Sequence, residues 1–232
     1  MRSGISKIFI TAGVLILFKS TCIAEGGGIK DPMIPGGEKI VYNMTIGTNS
    51  VTVTEETALK IENGREIYEF SSKSELEDRI VKIDRKTMLP YYSHTIQKSQ
   101  ESVIDRKASL VKDKTKTGEN EITLMDFYGL MYVLRGFPFK SNKTFKLKIM
   151  GANNPFSMCV RLHREVKLKV SDRTIDCYQV ELFVSGIMGK IFPKSYLWYS
   201  TEAPHYLVRS EGSSMGSPKQ VMELIGYSFL KK

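Results

Sequence analysis

Cysteine is scarce in this chain of 232 residues, which has only three. Secreted domains that depend on disulfides are much richer in cysteine, so a disulfide scaffold is excluded. The first, Cys22, lies close to the N-terminus, and only Cys159 and Cys177 lie beyond residue 24. If residues 171–174 form a hairpin turn, Cys177 faces the region of Leu168, far from Cys159 along the partner strand. A bridge then requires Cys159 to approach from a neighbouring strand, and the sequence leaves this open.

The sequence also has little that marks a catalytic or a metal site. None of its three histidines, His94, His163 and His205, has a second histidine or a cysteine at metal-ligand spacing. The one Gly-x-Ser-x-Gly stretch, residues 212–216 (GSSMG), comes just before the last predicted strand. We interpret it as a hairpin loop, because a serine nucleophile needs this pattern at a turn from a strand into a helix. We therefore predict no catalytic residue, no cofactor and no metal. A hydrolase stays open only if acids or histidines converge in the fold.

Long runs of one charge are absent as well. The chain has 34 lysines and arginines against 25 acids, and the two signs are interleaved. This mild excess is typical of a solvated basic surface, with attraction to anionic lipid or glycan surfaces as the alternative. No nucleic-acid partner is expected, because the chain has neither a concentrated basic run nor a recognition motif.

Long apolar runs are missing except at the N-terminus. Residues 8–18 form an apolar run that follows basic residues and precedes small residues at Cys22 and Ala24. This order predicts a secretory signal peptide over residues 1–24. No later run is long enough to span a bilayer, so no membrane span is expected after cleavage.

A lipid anchor on Cys22 is the alternative to cleavage after Ala24. Bacterial lipoproteins are processed just before a cysteine, but Lys19, Ser20 and Thr21 are a poor approach to such a site. The sequence therefore favours a cleaved, exported protein in the periplasm of a Gram-negative bacterium.

Apolar and polar residues alternate along most of the remaining chain, which predicts antiparallel strands with one solvated face. The alternation is clearest in residues 40–46, 145–149, 160–170, 178–184 and 221–229. Asn63 and Gly64 predict a two-residue hairpin turn that sets Leu59 opposite Tyr68. Pro90 cannot donate to a strand ladder, so a strand must break or begin there.

The chain reads as one domain with a short leader. Residues 37–232 are enough for a single domain with a sizeable core, and nothing inside them has the composition of a linker. Residues 25–36 are rich in glycine and proline, which predicts a flexible lead-in.

Residues 125–136 break the strand pattern. Their apolar side chains recur at i, i+3, i+4 and i+7, which is one face of a helix. The residues of this face are Phe127, Leu130, Met131 and Leu134. Asp126 is expected to cap the start and Gly136 the end, while Pro138 prevents continuation. The helix must lay its apolar face on the sheet, because nothing else covers it.

Four motifs occur in the order found in one group of bacterial exported proteins. They are residues 35–42 (PGGEKIVY), 126–135 (DFYGLMYVLR), 174–181 (TIDCYQVE) and 197–200 (LWYS). Because the four motifs occur in this order, the chain resembles the domain-of-unknown-function 3108 family over residues 36–230. The resemblance implies an exported, β-rich protein with no assigned reaction. It further implies an architecture similar to the lipoprotein-carrier (LolA-like) group, in which a strongly bent antiparallel sheet wraps helical segments and holds acyl chains.

The expected fold is therefore mainly β: a single domain with a strongly curved antiparallel sheet, a half-barrel or open barrel, and one central amphipathic helix. If the sheet is too curved to pack on the helix, the helix face lines a cavity for an acyl chain. Tyr132 and Arg135 then form a polar anchor at its mouth, positioned to meet a phosphate or carboxylate. Alternatively, the face is plain core and Arg135 interacts with the helix dipole.

Two functional hypotheses follow. The first is a non-enzymatic exported envelope protein that binds an acyl chain or a lipoprotein in an apolar concavity. The second is an envelope interaction module with a packed core, which binds a protein or a glycan through loops or strand edges. A void beneath the helix favours the first hypothesis. A filled core with an exposed apolar patch at residues 187–192 favours the second.

Overall fold

The computed structural model describes residues 28–98, 103–109, 121–124, 127–150, 155–186, 189, 191–213 and 218–229. The predicted signal peptide and the alternative lipid anchor at Cys22 lie outside these residues. Within the described part of the chain, no helix has the length and apolar character needed to cross a membrane.

The described chain forms one sheet of 13 strands. The strands are β1 (Glu38–Ile46), β2 (Asn49–Glu62), β3 (Arg65–Lys73), β4 (Glu77–Asp84), β5 (Leu89–Lys98), β6 (Val103–Ser109), β7 (Glu121–Leu124), β8 (Thr144–Met150), β9 (Pro155–Val170), β10 (Arg173–Phe183), β11 (Ser195–Ser200), β12 (Leu207–Gly212) and β13 (Gln220–Phe229). Helix α1 (Phe127–Val133) and a 3₁₀ turn (Leu134–Gly136) lie between β7 and β8. The spatial order is β6-β5-β4-β3-β2-β1-β13-β12-β11-β10-β9-β8-β7. β6 and β7 are the edges, so the barrel is open.

The sheet curves around the helix. Tyr132 stacks on Phe70 of β3 with ring centroids 4.0 Å apart. The neighbouring Met131 accepts a hydrogen bond of 2.8 Å at its carbonyl oxygen from the hydroxyl of Tyr199 in β11. β3 and β11 are five strands apart in the sheet, which is about 24 Å across a flat sheet. Adjacent helix residues reach both strands only because the sheet bends, so the predicted mainly β, strongly curved fold is confirmed.

Turn chemistry positions the β2–β3 hairpin as predicted. Asn63 and Gly64 both have positive φ, 52° and 75°, which is what the tight turn between β2 and β3 needs. Leu59 pairs with Tyr68. Pro90 is the second residue of β5 and lies beside a register shift, consistent with its missing donor.

The register of the β9–β10 hairpin differs from the expectation. Its turn is two residues long, so Cys177 pairs with Val166 rather than with Leu168. Cys159 pairs with Phe183, six residues further along β10, which is about 20 Å away. Both cysteines are buried thiols, and no disulfide joins them.

Residues 28–36, the described part of the segment 25–36 that was predicted to be a flexible lead-in, form a strap that packs against the sheet. Ile34 is 2% exposed, and its backbone N–H donates to the hydroxyl of Tyr68 at 3.0 Å. Asp31 accepts hydrogen bonds from the Tyr68 hydroxyl at 2.5 Å and from the Arg85 guanidinium at 2.8 Å. Glycine and proline make the backbone of this segment adaptable, but Asp31 and Ile34 supply the contacts that hold it.

The strap also explains the glycine at the end of the helix. Gly136 lacks the positive φ of a left-handed cap, which corrects the expected reason for glycine at this position. Lys30 of the strap donates its N–H to the carbonyl oxygen of Gly136 at 3.0 Å. A Cβ on Gly136 would lie 1.9 Å from the carbonyl oxygen of Lys30. The predicted cap Asp126 lies outside the described residues.

Candidate functional site

The apolar face of the helix packs into the core. Leu130 and Leu134 are fully buried, and Met131 is 8% exposed. Phe127 begins the helix, but its side chain lies outside the described part of the chain. Three of the four residues predicted to face an acyl chain are therefore core residues in this structure.

Arg135 forms a buried ion pair with Glu38 at the start of β1. Its Nη1 and Nη2 donate to the two carboxylate oxygens of Glu38 at 2.6 and 2.8 Å. Its Nε donates to the carbonyl oxygen of Pro204 at 3.1 Å. Burial lowers the pKa of Arg135, but the hydrogen bonds and the charge of Glu38 outweigh burial, and the pKa is raised. The guanidinium is thus charged, buried and already engaged by a carboxylate of the chain itself.

Glu38 is the point at which three strands and the helix meet. Besides Arg135, it accepts hydrogen bonds from the hydroxyl of Tyr227 in β13 at 3.0 Å and from that of Thr57 in β2 at 3.4 Å. Burial raises the pKa of Tyr227, and the negative charge of Glu38 raises it further. These partners stabilise an ionised carboxylate that is fully buried.

A second carboxylate, Glu55 of β2, contacts the helix. The hydroxyl of Tyr132 donates to its Oε1 at 2.8 Å, and both side chains are buried. Burial raises the pKa of Glu55 to about 7, although the Tyr132 hydrogen bond and the charges of Arg79 and Arg135 act in the opposite direction. Glu55 therefore changes its charge near neutral pH.

The space left between helix and sheet is small. A cavity of about 10 Å³ remains there, which is room for about one water molecule. It is lined by Glu38, Ile40, Tyr42, Glu55, Thr57, Phe70, Met131, Tyr132, Arg135 and Leu207. An acyl chain does not fit in it. That the helix face, Tyr132 and Arg135 bind a ligand stays a prediction. In this structure the packed side chains leave no space for an acyl chain beside them.

A larger groove lies beside the strap, on β2 and β3. Its volume is about 330 Å³, and its lining residues are Gly36, Gly37, Glu56, Thr57, Ala58, Leu59, Glu69 and Ser71. Leu59 is the one large apolar residue in this lining. Glu56 and Glu69 are carboxylates that pair with Lys39 and Lys60. Since ligand sites for acyl chains are mostly apolar, this groove does not fit one.

The three histidines and the two acids beneath the helix do not form an accessible site in the described part of the chain. His94, His163 and His205 lie on or beside three different strands, β5, β9 and β11. Among the described residues, no group of three histidines, cysteines or acids is placed to hold a metal ion. Glu38 and Glu55 do converge, but they are enclosed beneath the helix with arginine and tyrosine partners. Water-sized molecules are the largest that their cavity holds.

Glu38 and Glu55 were not predicted as site residues, although the sequence carries a signal for both. Glu38 lies in the inward row of β1 with Ile40, and Glu55 lies in the inward row of β2 with Val53. An acid at a position that alternation assigns to the core requires a buried cation or donor. Arg135, singled out for its place at the helix end, is that cation.

Comparisons with known proteins give structural likenesses only. No family model and no curated protein matches the chain. A β-barrel-like protein of domain of unknown function DUF1849 from Brucella abortus is 9% identical, with a TM-score of 0.42 over 84% of this chain and 98% of that one. A candidate lipoprotein from Parabacteroides distasonis is 9% identical, with a TM-score of 0.37 over 84% of this chain and 96% of the other. A candidate exported protein with a YmcC-like fold from Bacteroides fragilis is 11% identical, with a TM-score of 0.35 over 84% and 96% of the two chains. Likenesses this distant carry no argument about function, and the resemblance to the domain-of-unknown-function 3108 family stays a prediction.

Proposed function

We propose that this chain is a non-enzymatic exported protein of the bacterial envelope, similar to the domain-of-unknown-function 3108 family, and that it binds its partners on its outer surface. The signal-peptide pattern of residues 1–24 supports export, and the Gram-negative periplasm is the proposed location. A protein, a glycan or a lipid surface is the proposed class of partner. The sequence had favoured a ligand in a concavity of the sheet, and we now propose instead that the partner binds on the outer surface.

The packing beneath the helix is the observation that carries this proposal. Leu130 and Leu134 are fully buried in the core, and the cavity that remains holds about one water molecule. Opening a larger cavity requires the helix to leave the sheet. That movement breaks the Arg135–Glu38 ion pair and the Tyr132–Glu55 hydrogen bond and leaves buried charges without partners, which is costly.

The absence of a reaction is proposed on the same grounds. A general acid or base must lie within hydrogen-bond reach of a substrate. Glu38 and Glu55 are buried acids that line the same small cavity, and both are enclosed. Their hydrogen bonds run to Arg135, Tyr227 and Tyr132, so their role in this proposal is structural.

Native mass spectrometry of the exported protein after gentle extraction tests the proposal. We expect the mass of the bare chain without its signal peptide, with no lipid retained. A stoichiometric adduct of the mass of a phospholipid or an acyl chain would contradict surface binding and support carriage in the interior.

A Leu130→Ala variant serves as the matched control for that measurement. Truncation of this fully buried side chain opens space beneath the helix, so a small apolar probe such as benzene should bind the variant and not the original protein. Binding of the probe to both proteins would show that the helix opens readily, and the filled-core argument would then be wrong.

A further inference from the structure

Positive charge is concentrated in one part of the sheet. Residues 140–194, which contain β8, β9 and β10, have 11 lysines and arginines but only four acids. Residues 38–109, which contain β1 to β6, have 11 lysines and arginines and 12 acids. The interleaving of charges along the sequence therefore hides an asymmetry between the two halves of the fold.

β8 and β9 present part of this charge on the outer face of the sheet. Phe145 and Leu147 are buried in the core, so Lys146 and Lys148 point to the opposite face. Val160 is likewise buried, and the next residue, Arg161, is exposed on the outer side. The antiparallel register of the two strands brings these three cations into one area.

Lys194 completes this area, and a single acid balances it. Arg161 and Lys194 each form an ion pair of 2.6 Å with Glu181, whose side chain is 1% exposed. Lys146 and Lys148 form no ion pair with an acid in the described part of the chain. We call Lys146, Lys148, Arg161 and Lys194 the basic face. It holds four cations, two of which pair with the buried carboxylate of Glu181, so it carries a net positive charge.

An exposed apolar side chain lies three residues before Lys194 of the basic face. The loop from β10 to β11 leads into Lys194, and Ile191 of this loop is 61% exposed. Residues 187, 188 and 190 of the predicted apolar patch lie outside the described residues. Basic side chains beside an exposed apolar one are the combination by which peripheral proteins bind a bilayer, with cations at the headgroups and the apolar group among the upper acyl chains.

We infer that the basic face, together with Ile191, is a docking surface for a lipid bilayer with anionic headgroups. This inference rests on the proposed surface-binding function and names the partner. The basic face lies on the outside of a sheet, and a bilayer with anionic headgroups offers a continuous negative surface to cations arranged in this way. Each lysine close to such a surface strengthens binding about fivefold.

Vesicle co-sedimentation of the exported chain without its signal peptide tests this inference. We expect binding to phosphatidylcholine vesicles that contain about 30% phosphatidylglycerol, and none to pure phosphatidylcholine. Because the attraction is electrostatic, binding should weaken at least about tenfold when salt rises from about 0.05 M to about 0.5 M. Failure to bind the anionic vesicles at low salt overturns the inference, and it leaves the filled interior measured by mass spectrometry unaffected.

Matched variants locate the surface. Lys146→Gln with Lys148→Gln should weaken vesicle binding about 10- to 30-fold. Lys73→Gln with Lys86→Gln removes the same charge from exposed positions in the neutral half of the sheet and should change binding less than about twofold. Equal losses in the two double variants would mean that net charge alone attracts the protein, and the assignment of the basic face would be wrong.

The role of Ile191 has a separate readout. Ile191→Ser should weaken binding to anionic vesicles about tenfold by removing apolar insertion, while the salt dependence stays as in the original protein. An unchanged affinity would contradict insertion. Crosslinking of Lys146 to an acidic envelope protein, in the absence of vesicle binding, would assign the surface to a protein partner and overturn the lipid inference.

Discussion

At the scale of single residues, Glu55 links the stability of the fold to pH. Burial raises its pKa from the ordinary value of 4.5 to about 7. Between these two pH values, Glu55 keeps its proton in the folded state, whereas the unfolded chain has already released it. The contribution of protonated Glu55 to the stability of the folded state is complete below the pKa of the unfolded chain, and it is lost as pH rises to about 7. It amounts to about 3 kcal/mol across this window.

Glu55→Gln tests this linkage, because glutamine keeps an acceptor for the Tyr132 hydroxyl and carries no charge. The variant should be more stable than the original protein at pH 8. Its free energy of unfolding should also change less between pH 5 and pH 8, and the difference between the two proteins in this change should be up to about 3 kcal/mol. Urea denaturation at the two pH values measures both effects. Glu56→Gln is the matched control, since Glu56 belongs to the same strand but is 47% exposed in a surface ion pair. An unchanged pH profile in the Glu55 variant would disprove the linkage.

Arg135 is the second residue whose role depends on its environment. Arg135→Met leaves Glu38 buried without its cation, and the side chains of both are at most 3% exposed. Loss of one partner from such a pair costs about 3–5 kcal/mol. We therefore expect a loss of this size in the free energy of unfolding, measured by urea denaturation.

The double variant Glu38→Gln with Arg135→Met separates the charge from the packing. Removing both charges should restore part of the stability that Arg135→Met loses, because no uncompensated ion is left in the core. If the double variant loses as much stability as the single variants Arg135→Met and Glu38→Gln lose together, the ion pair is not what holds these side chains. Arg135 would then be available for the ligand role first predicted for it.

At the scale of elements, the helix is a crossover between two parallel strands. β7 and β8 pair in parallel, and parallel neighbours cannot be joined by a hairpin, so the chain must cross from one end of the sheet to the other. α1 and its 3₁₀ turn make this connection. The alternation that predicted antiparallel strands marks which side chains face inward, but it carries no information about the direction of the neighbouring strand. The parallel pair was therefore missed.

Gly136 is the element-scale position most sensitive to a single methyl group. Gly136→Ala places Cβ 1.9 Å from the carbonyl oxygen of Lys30, and the backbone of the strap must move away. Overpacking of this kind costs about 1–3 kcal/mol. Gly226→Ala is the matched control, because its Cβ would meet Val41 at 3.5 Å, an ordinary contact. Equal thermal stability of the two variants would contradict the close approach of the strap.

Local patterns predicted the elements well and the site only in part. The Asn63 turn and the pairing of Leu59 with Tyr68 follow from backbone preferences of neighbouring residues, so the sequence is sufficient for them. The partner of Arg135 is 97 residues away, and nothing local connects the two. Whether the helix face contacts the sheet or a ligand depends on the fit of side chains from many strands, which periodicity does not measure.

At the scale of the whole molecule, the strap ties together parts of the sheet that are distant in the chain. Asp31 contacts Tyr68 in β3 and Arg85 after β4, while Lys30 contacts the end of the 3₁₀ turn. The single tryptophan, Trp198, lies in β11, five strands from β3 in the sheet, and it is 8% exposed. If the domain unfolds as one cooperative unit, a defect in the strap must change the stability that Trp198 reports.

Ile34→Ala tests this coupling. Removal of most of a buried isoleucine side chain costs about 2–4 kcal/mol, and the loss should appear equally in the fluorescence of Trp198 and in far-UV circular dichroism during urea denaturation. Met33→Ala is the matched control, since Met33 is 69% exposed and its truncation should change stability by less than about 0.5 kcal/mol. Should the Trp198 transition of the Ile34 variant stay in place while another probe shifts, the strap would fray independently of the barrel. Coincident, equally shifted transitions are expected because the strap contacts both the helix end and the sheet that curves around it.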